Sequence, residues 1–302
     1  MPEILSKAGC FVGIIVLGFV LRQVGFFKKE DFRVLSQIAL KITLPASVVV
    51  SFSAMTIDPL MLTIVLLALS CGIIYIGAAF LLNTRSKREQ RAFEVLNLPG
   101  YNIGLFALPF VQSYLGPMGV VTASLFDAGN AVICLGGAYG IAASVKEGGK
   151  FSFRRIGKAL LTSVPFMTYV TMILLNLTGL HLPDIALSFA EVIKASNTFI
   201  AMLMIGVGFH LEAEKSQLLQ ILKLVLTRYA IAGVFAIVAY WALPFDLEIR
   251  KALVLLVFSP ISAAVPAFTG ELGEDVGLSS AMNSICILCS IVFMTVLMLV
   301  MG

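Results

Sequence analysis

The chain has 302 residues, of which 59% are hydrophobic and only 13% are charged, and its mean hydropathy is +1.01. Soluble domains carry about 25% charged residues, so this composition excludes a water-soluble globular protein and predicts an all-α integral membrane protein. The net charge of +4 is modest and gives no reason to expect a nucleic acid partner.

The apolar segments, taken in chain order, predict ten transmembrane helices at about 20 residues per span. Their approximate ranges are 8–27, 34–53, 59–83, 91–115, 118–145, 159–180, 186–209, 217–243, 250–272 and 277–300. The first apolar run, from Ala8 to Leu21, lacks a small-residue cleavage site, so we interpret it as a spanning helix rather than a signal peptide.

The basic residues predict the orientation of these helices. With the N-terminus outside, fourteen of the 21 Lys and Arg residues fall on the inner side and three on the outer side. Positive charge concentrates in cytoplasmic loops. The sequence therefore predicts a multi-pass protein of the cell (inner) membrane with both termini outside, in which a cytoplasmic loop, 146–158, separates a first five-helix half, 1–145, from a second, 159–302.

The fourth segment contains residues that a continuous spanning helix does not favour. Between Glu94 and Gly116 the chain holds Pro99, Gly100 and Pro109. Proline removes a backbone donor and clashes with the preceding turn, and each polar group that is freed in lipid costs several kcal/mol unless something satisfies it. We therefore expect a broken helix whose ends face a cavity, which is typical of secondary transporters.

The ninth segment repeats this pattern. Pro109 lies seven residues before Gly116, and Pro266 lies seven residues before Gly273. Because each half has an odd number of helices, the repeat is inverted and the two broken helices lie at equivalent depths. Chance similarity between apolar segments is the alternative, since proline and glycine are common in spanning helices.

Several short motifs resemble the auxin efflux carrier family, which includes the plant PIN-type carriers. They are NIGLFALPFVQSYLG at 102–116, SPISAAVPAF at 259–268, FDAGN at 126–130, and the pattern formed by Ser51-Phe52 and Asp58-Pro59. The resemblance covers essentially the whole chain and implies two inverted five-helix repeats, similar to bile-acid/sodium symporters, with helices 4 and 9 crossing at prolines. It also implies a homodimer, an elevator-like motion and the transport of small organic anions.

The resemblance also assigns residues to the site. It implies that Asn102 is the site asparagine and that Pro109 and Pro266 are the crossing prolines. Asp58 resembles an acidic residue beside the PIN-type site. The sequence departs from the family in two places. Leu62 stands where a lysine assists that acid, and Ser262-Ala263 replaces an asparagine of the ninth helix, so we expect the substrate to differ accordingly.

The chemistry of a broken helix supports an anion site independently. The second half of such a helix presents unpaired N–H groups and the positive end of its dipole. We expect these donors near Ile103–Leu105, where Gly104 keeps the backbone accessible, and near Ala263–Val265. The side chains of Asn102 and Ser262 would add hydrogen bonds to a bound carboxylate.

Asp127 is the acid that lies deepest in a predicted span, about 13 Å below the start of the fifth helix, with Asn130 on the same helix face. Intramembrane acids usually face an interior and have a function. We expect Asp127, with Asp58 as a second candidate, to couple transport to H⁺ or Na⁺, and we expect no organic cofactor and no metal site. Structural pairing of Asp127 is the alternative. Arg228 and His210 are predicted to be interfacial.

Functions of other classes remain as alternatives. An aspartyl intramembrane protease needs two deep aspartates, whereas only Asp127 is deep, and neither His181 nor His210 lies deep enough to serve a serine-type protease. The second alternative is a sensor built on a transporter fold. The third is a sodium-coupled symporter similar to the bile-acid carriers. Proteolysis of a helical reporter would favour the protease, and long signalling tails would favour the sensor. Sodium-dependent uptake that is lost on Asp127→Asn would favour the symporter.

Overall fold

The computed structural model describes residues 2–28, 30–82, 87–147, 152–209 and 217–301. It is 84% helical, with no strand in those ranges. Seven helices are long and apolar enough to cross a membrane, or up to eight if one strongly bent pair counts as a single span. The prediction of an all-α protein with several membrane-spanning helices is therefore confirmed.

The helices follow one another with short connections. In chain order they are α1 (Pro2–Gln23), α2 (Asp31–Ser53), α3 (Pro59–Leu82), α4 (Arg88–Asn97), α5 (Ile103–Lys146), α6 (Phe153–Thr162), α7 (Val164–Thr178), α8 (Asp184–Gly208), α9 (Leu218–Trp241), α10 (Leu247–Val257), α11 (Val265–Glu271) and α12 (Val276–Met301). Gly116, with φ 55° and ψ −145°, turns the chain inside α5. This turn divides α5 into α5a (103–115) and α5b (117–146).

The expectation of a loop over the whole of 146–158 is wrong. Helix α5b continues to Lys146, and α6 begins at Phe153 because the Ser152 side chain caps it by accepting a hydrogen bond from the Arg155 N–H. Helix α6 is bent by 76° from α7. The middle of the predicted loop, 148–151, lies outside the described residues.

The helices pack in two groups. In the first, which we call the peripheral group, α1 and α2 pack against α8, and α2 also packs against α7. In the second, the crossing group, α3 and α10 pack against α5, α4 packs against α5b and α11, and α12 packs against α9 and α11. The groups meet where α2 and α7 contact α5, and the candidate site lies at this boundary.

Candidate functional site

Two helical segments are interrupted, and the interruptions meet inside the crossing group. The chain runs through 98–102 between α4 and α5a, and through 258–264 between α10 and α11. Each interruption contains a proline, Pro99 or Pro260, which cannot donate the backbone hydrogen bond of a continuous helix. The Asn102 N–H donates to the Pro260 carbonyl at 2.9 Å, so the two interruptions are bonded to each other at their crossing.

The first interruption depends on a glycine. Gly100 has a φ of 79°, a backbone conformation that costs a side-chain-bearing residue about 1–2 kcal/mol. A Cβ atom at Gly100 would also lie 2.7 Å from the Cys134 sulfur. Glycine therefore allows both the turn of the backbone and its close approach to α5b.

Arg228 of α9 satisfies backbone carbonyls of both interruptions. Its Nη1 donates to the Leu98 carbonyl at 2.6 Å, and its Nη2 donates to the carbonyls of Gly100 and Ser259 at 2.8 and 2.9 Å. Helices α4 and α10 end at these interruptions, and a helix C-terminus carries partial negative charge. One guanidinium therefore offsets the negative ends of two helices and replaces hydrogen bonds that the helices lost.

The expectation that Arg228 is interfacial is wrong. Its side chain is completely buried, and its guanidinium lies 5.3 Å and 5.1 Å from the ring centres of Tyr75 and Tyr101. Desolvated cation–π contacts of this kind contribute to the burial of a charge. The central position of Arg228 within its predicted span was the available signal. His210 lies outside the described residues.

Asn130 of α5b holds the first interruption from the other side. Its Nδ2 donates to the Tyr101 carbonyl at 2.9 Å, and its Oδ1 accepts from the Tyr101 N–H at 3.0 Å. A side-chain amide can pair with a peptide unit in this way because it has both a donor and an acceptor. Asn130 therefore has a structural function, whether or not it also contacts a ligand.

Asp127 lies one turn before Asn130 and is half-buried. One carboxylate oxygen accepts from Asn130 Nδ2 at 2.9 Å, and the other accepts from the Tyr169 hydroxyl at 2.9 Å. Tyr169 belongs to α7, so this hydrogen bond joins the peripheral group to the crossing group. Asp127 is thus paired with polar groups rather than isolated in an apolar environment.

A cavity of about 240 Å³ lies beside the crossing. Its walls include seven of the predicted site residues: Asn102, Ile103, Gly104, Asp127, Asn130, Ser262 and Ala263. The peripheral group contributes further walls, including Phe32 and Ser36 of α2 and Phe166 and Tyr169 of α7. The residues predicted from the sequence therefore form the wall of this cavity that belongs to the crossing group. The structure adds the wall that belongs to the peripheral group.

Three predicted residues lie elsewhere. Pro109 is the seventh residue of α5a and Pro266 is the second residue of α11, whereas the hydrogen bond that joins the two interruptions is made to Pro260. Asp58 is exposed, caps the turn at 59–62 by accepting from the Leu60 N–H at 2.8 Å, and does not line the cavity.

A buried cluster of polar side chains joins the two groups by hydrogen bonds along α5a. Thr43 donates to Asn197 Oδ1 at 2.9 Å, Asn197 Nδ2 donates to Gln112 Oε1 at 3.3 Å, and Ser47 donates to the same Gln112 oxygen at 2.9 Å. These residues belong to α2, α8 and α5a. The two groups are thus hydrogen bonded at Gln112, whereas they are separated by the cavity near Asn102.

Within the described ranges, no group of three or more His, Cys, Asp or Glu side chains is arranged to hold a metal ion. No protein-family model matches the sequence, and no curated protein matches it.

Proposed function

We propose that this protein is a secondary active or facilitative transporter that moves a small organic anion, such as an auxin-like carboxylate or a dicarboxylate, across the membrane by elevator-type alternating access. The observation that carries this proposal is the position of the 240 Å³ cavity, which has walls from both the peripheral group and the crossing group. A site at such a boundary changes its exposure when one group moves against the other.

The selection of an anion is supported by the backbone around the cavity. The first turn of α5a has N–H groups without intrahelical acceptors and the positive end of a helix dipole. Ile103, Gly104 and Leu105 of this turn line the cavity, as do the side chains of Asn102 and Ser262. Together they form a donor-rich wall that suits a carboxylate.

Asp127 supports coupling to a cation. An ionised Asp127 and a bound anion in the same small cavity repel each other in a medium of low dielectric constant. Neutralisation of Asp127 by H⁺ or Na⁺ removes that repulsion, so the cation and the anion favour each other's binding. Asp58 has no part in this step because its carboxylate caps a surface turn.

We also propose ten spans in two inverted five-helix repeats, counting each interrupted helix as one span. Four of the six glycines with positive φ in the described residues form two pairs that support this arrangement. Gly25 (82°) and Gly179 (69°) follow the first helix of each half, and Gly116 (55°) and Gly273 (69°) follow each interrupted helix. The distribution of Lys and Arg supports a cell-membrane location with both termini outside. The homodimer is a proposal from the family resemblance alone.

The test is flux into proteoliposomes over a panel of monocarboxylates and dicarboxylates, with imposed pH, sodium and voltage gradients. We expect wild type to transport at least one carboxylate. Asn102→Ala should reduce its flux roughly tenfold or more, since a buried polar contact is lost. Asp127→Asn should abolish the dependence on the driving cation. Asp58→Asn is the matched control and should behave as wild type.

Each alternative gives a different result. A proton gradient that drives wild-type flux supports H⁺ coupling, and sodium-dependent uptake that Asp127→Asn abolishes supports a bile-acid-like symporter. If Asn102→Ala and Asp127→Asn both transport like wild type, the assigned site is wrong. If no carboxylate is transported or bound, the transporter proposal itself is refuted.

A further inference from the structure

Helix α6 lies along one surface of the membrane rather than across it. It is bent by 76° from α7, and its ten residues span only about half of the apolar core. Arg155 of α6 forms an ion pair with Glu271, with an N–O distance of 2.7 Å. Because Glu271 is the last residue of α11 and the chain turns at Gly273 into α12, this ion pair places α6 beside the ends of these two helices.

The side chains of α6 are distributed in a way that suits a membrane surface. Ile156 is buried, whereas the side chains of Phe153 and Leu161 are 81% and 69% exposed. Arg154 and Lys158 are also exposed, and neither has an ion-pair partner among the residues that the structure describes. A helix that exposes both apolar and basic side chains binds at the boundary between lipid headgroups and acyl chains.

An apolar groove of about 400 Å³ continues from the end of α6 along α7. Leu161 and Thr162 line its first part, and side chains between Val164 and Leu175 line much of the rest, a length of about 16 Å at 1.5 Å per residue. In its wall, Leu161, Val164 and Met167 are between 36% and 69% exposed, so the groove is open to the outside of the helix bundle. In a membrane this outside is filled by lipid, and an acyl chain is the apolar ligand that is present there.

Basic residues stand at the α6 end of this groove. Arg154, Lys158 and Thr162 follow one another at intervals of four residues and therefore share one face of α6. Thr162 lines the groove, and its hydroxyl donates to the Lys158 carbonyl at 2.9 Å. No Asp or Glu occurs in α6, so the charge that this helix places at the end of the groove is positive and attracts an anionic headgroup.

We propose that α6 and this groove form a binding site for one anionic phospholipid. Its acyl chain lies in the groove along α7, and its phosphate group is held by Arg154 and Lys158. The site is separate from the cavity beside the crossing, with which it shares one wall residue, Ser163. Occupation of the groove by lipid therefore does not depend on which solute the protein transports.

The experiment uses native mass spectrometry to measure the binding of dioleoyl phosphatidylglycerol and dioleoyl phosphatidylcholine to the full-length protein in a nonionic detergent. The two lipids have identical acyl chains and differ in headgroup charge. We expect wild type to bind phosphatidylglycerol roughly 25-fold more tightly, since each basic residue near an anionic headgroup contributes roughly fivefold. Arg154→Gln/Lys158→Gln should bind the two lipids about equally. The anion sn-glycerol 3-phosphate, which has no acyl chain, should not displace bound phosphatidylglycerol.

Each part of the site has a matched control. Arg33→Gln/Arg88→Gln removes two exposed basic residues of α2 and α4 that do not line the groove, and it should keep the wild-type preference. Thr171→Trp fills the groove and should weaken the binding of phosphatidylglycerol roughly tenfold or more, because its indole displaces several acyl methylenes. Leu174→Trp adds the same indole to an exposed position of α7 outside the groove and should bind as wild type does.

The ratio between the two lipids within one variant does not depend on the fraction of protein that is folded. Equal binding of both lipids by wild type would overturn the assignment of an anionic ligand, and so would a preference that survives in Arg154→Gln/Lys158→Gln. Displacement by sn-glycerol 3-phosphate would mean that the site binds a free phosphate. If Thr171→Trp leaves lipid binding unchanged, the acyl chain lies elsewhere, and if it also changes the oligomeric state, the groove binds a second copy of this chain.

Discussion

The two interruptions are built differently, although they meet at one point. In 98–102, the backbone turns at Gly100 and the Tyr101 peptide units are held by Asn130. The second interruption, 258–264, contains no glycine. There the Ser290 hydroxyl donates to the Phe258 carbonyl at 2.6 Å, and Arg228 donates to the Ser259 carbonyl at 2.9 Å.

The difference shows how the two halves depend on each other. The first interruption needs Arg228, which comes from the second half, for two of its carbonyls. The second interruption receives the Asn102 N–H from the first half. Neither interruption is therefore fully hydrogen bonded without the other half, and the more elaborate polar support belongs to the one beside Asp127.

The largest effect is expected from Arg228→Met. The change leaves three buried carbonyls without their donor and removes the charge that offsets two helix ends. Each buried carbonyl that is left without a donor costs about 1–3 kcal/mol. We expect a large drop in apparent melting temperature, measured by size-exclusion chromatography after heating in detergent. Because Arg228 supports both interruptions, this variant should destabilise both of them.

Arg228→Lys is the control for charge. Lysine keeps the positive charge but lacks the planar fork that reaches several acceptors at once. Its melting temperature should fall between those of wild type and Arg228→Met. A fully stable Arg228→Met protein would contradict the proposed support of the crossing.

A smaller effect is expected from Asn130→Leu, which removes both hydrogen bonds to Tyr101. The two Tyr101 groups lose their partner, which costs about 2–4 kcal/mol, and Asp127 also loses the hydrogen bond from Asn130. Ser290→Ala removes the support of Phe258 and a 2.8 Å contact with the Tyr229 hydroxyl, which costs about 1–2 kcal/mol. Comparison of the two melting temperatures tests the difference directly. A larger loss in Ser290→Ala would mean that the second interruption has the stronger side-chain support.

Gly100→Ala should destabilise the protein by about 1–2 kcal/mol, because alanine disfavours a φ of 79°. Gly77→Ala is the matched control, since a Cβ atom there meets nothing within 4 Å, and an alanine inside α3 should be neutral or stabilising. Adding Cys134→Ala to Gly100→Ala should recover the part of the loss that comes from the contact with sulfur. Equal stability of Gly100→Ala and Gly77→Ala would count against the role assigned to Gly100.

The smallest effect is expected far from both interruptions. Asp58→Ala removes a helix cap, which is worth about 1 kcal/mol. The melting temperature should fall slightly, whereas carboxylate flux and its cation dependence should not change. A flux defect without loss of stability would restore Asp58 as a candidate coupling residue.

The sequence predicts that the helices are broken, but it does not predict which residues lie at the crossing. Proline and glycine in an apolar segment indicate a break. This pattern identifies Glu94–Gly116 and the cavity wall that belongs to the crossing group. Local patterns do not distinguish Pro99 from Pro109, because each can begin a helix. The position of the break depends on contacts with Arg228 and Pro260, which are distant in the chain. No sequence spacing connects these two residues to Gly100.

The partners of polar side chains were also beyond local patterns. Asp127 and Asn130 were predicted to share a helix face, and the structure confirms that they are hydrogen bonded. Tyr169 could not be assigned to Asp127, because their contact depends on how α7 packs against α5b. The short helix α6 was missed because its many basic residues resemble those of a loop.

The hydrogen bond between Arg228 and Leu98 also has a consequence for biosynthesis. These residues are 130 positions apart, which corresponds to a delay of roughly 7–26 s at 5–20 residues per second of translation. During that interval the nascent first half has no guanidinium for its exposed carbonyls, so they must stay hydrated or bound by the insertion machinery. The crossing therefore cannot gain its Arg228 hydrogen bonds until α9 has been synthesised.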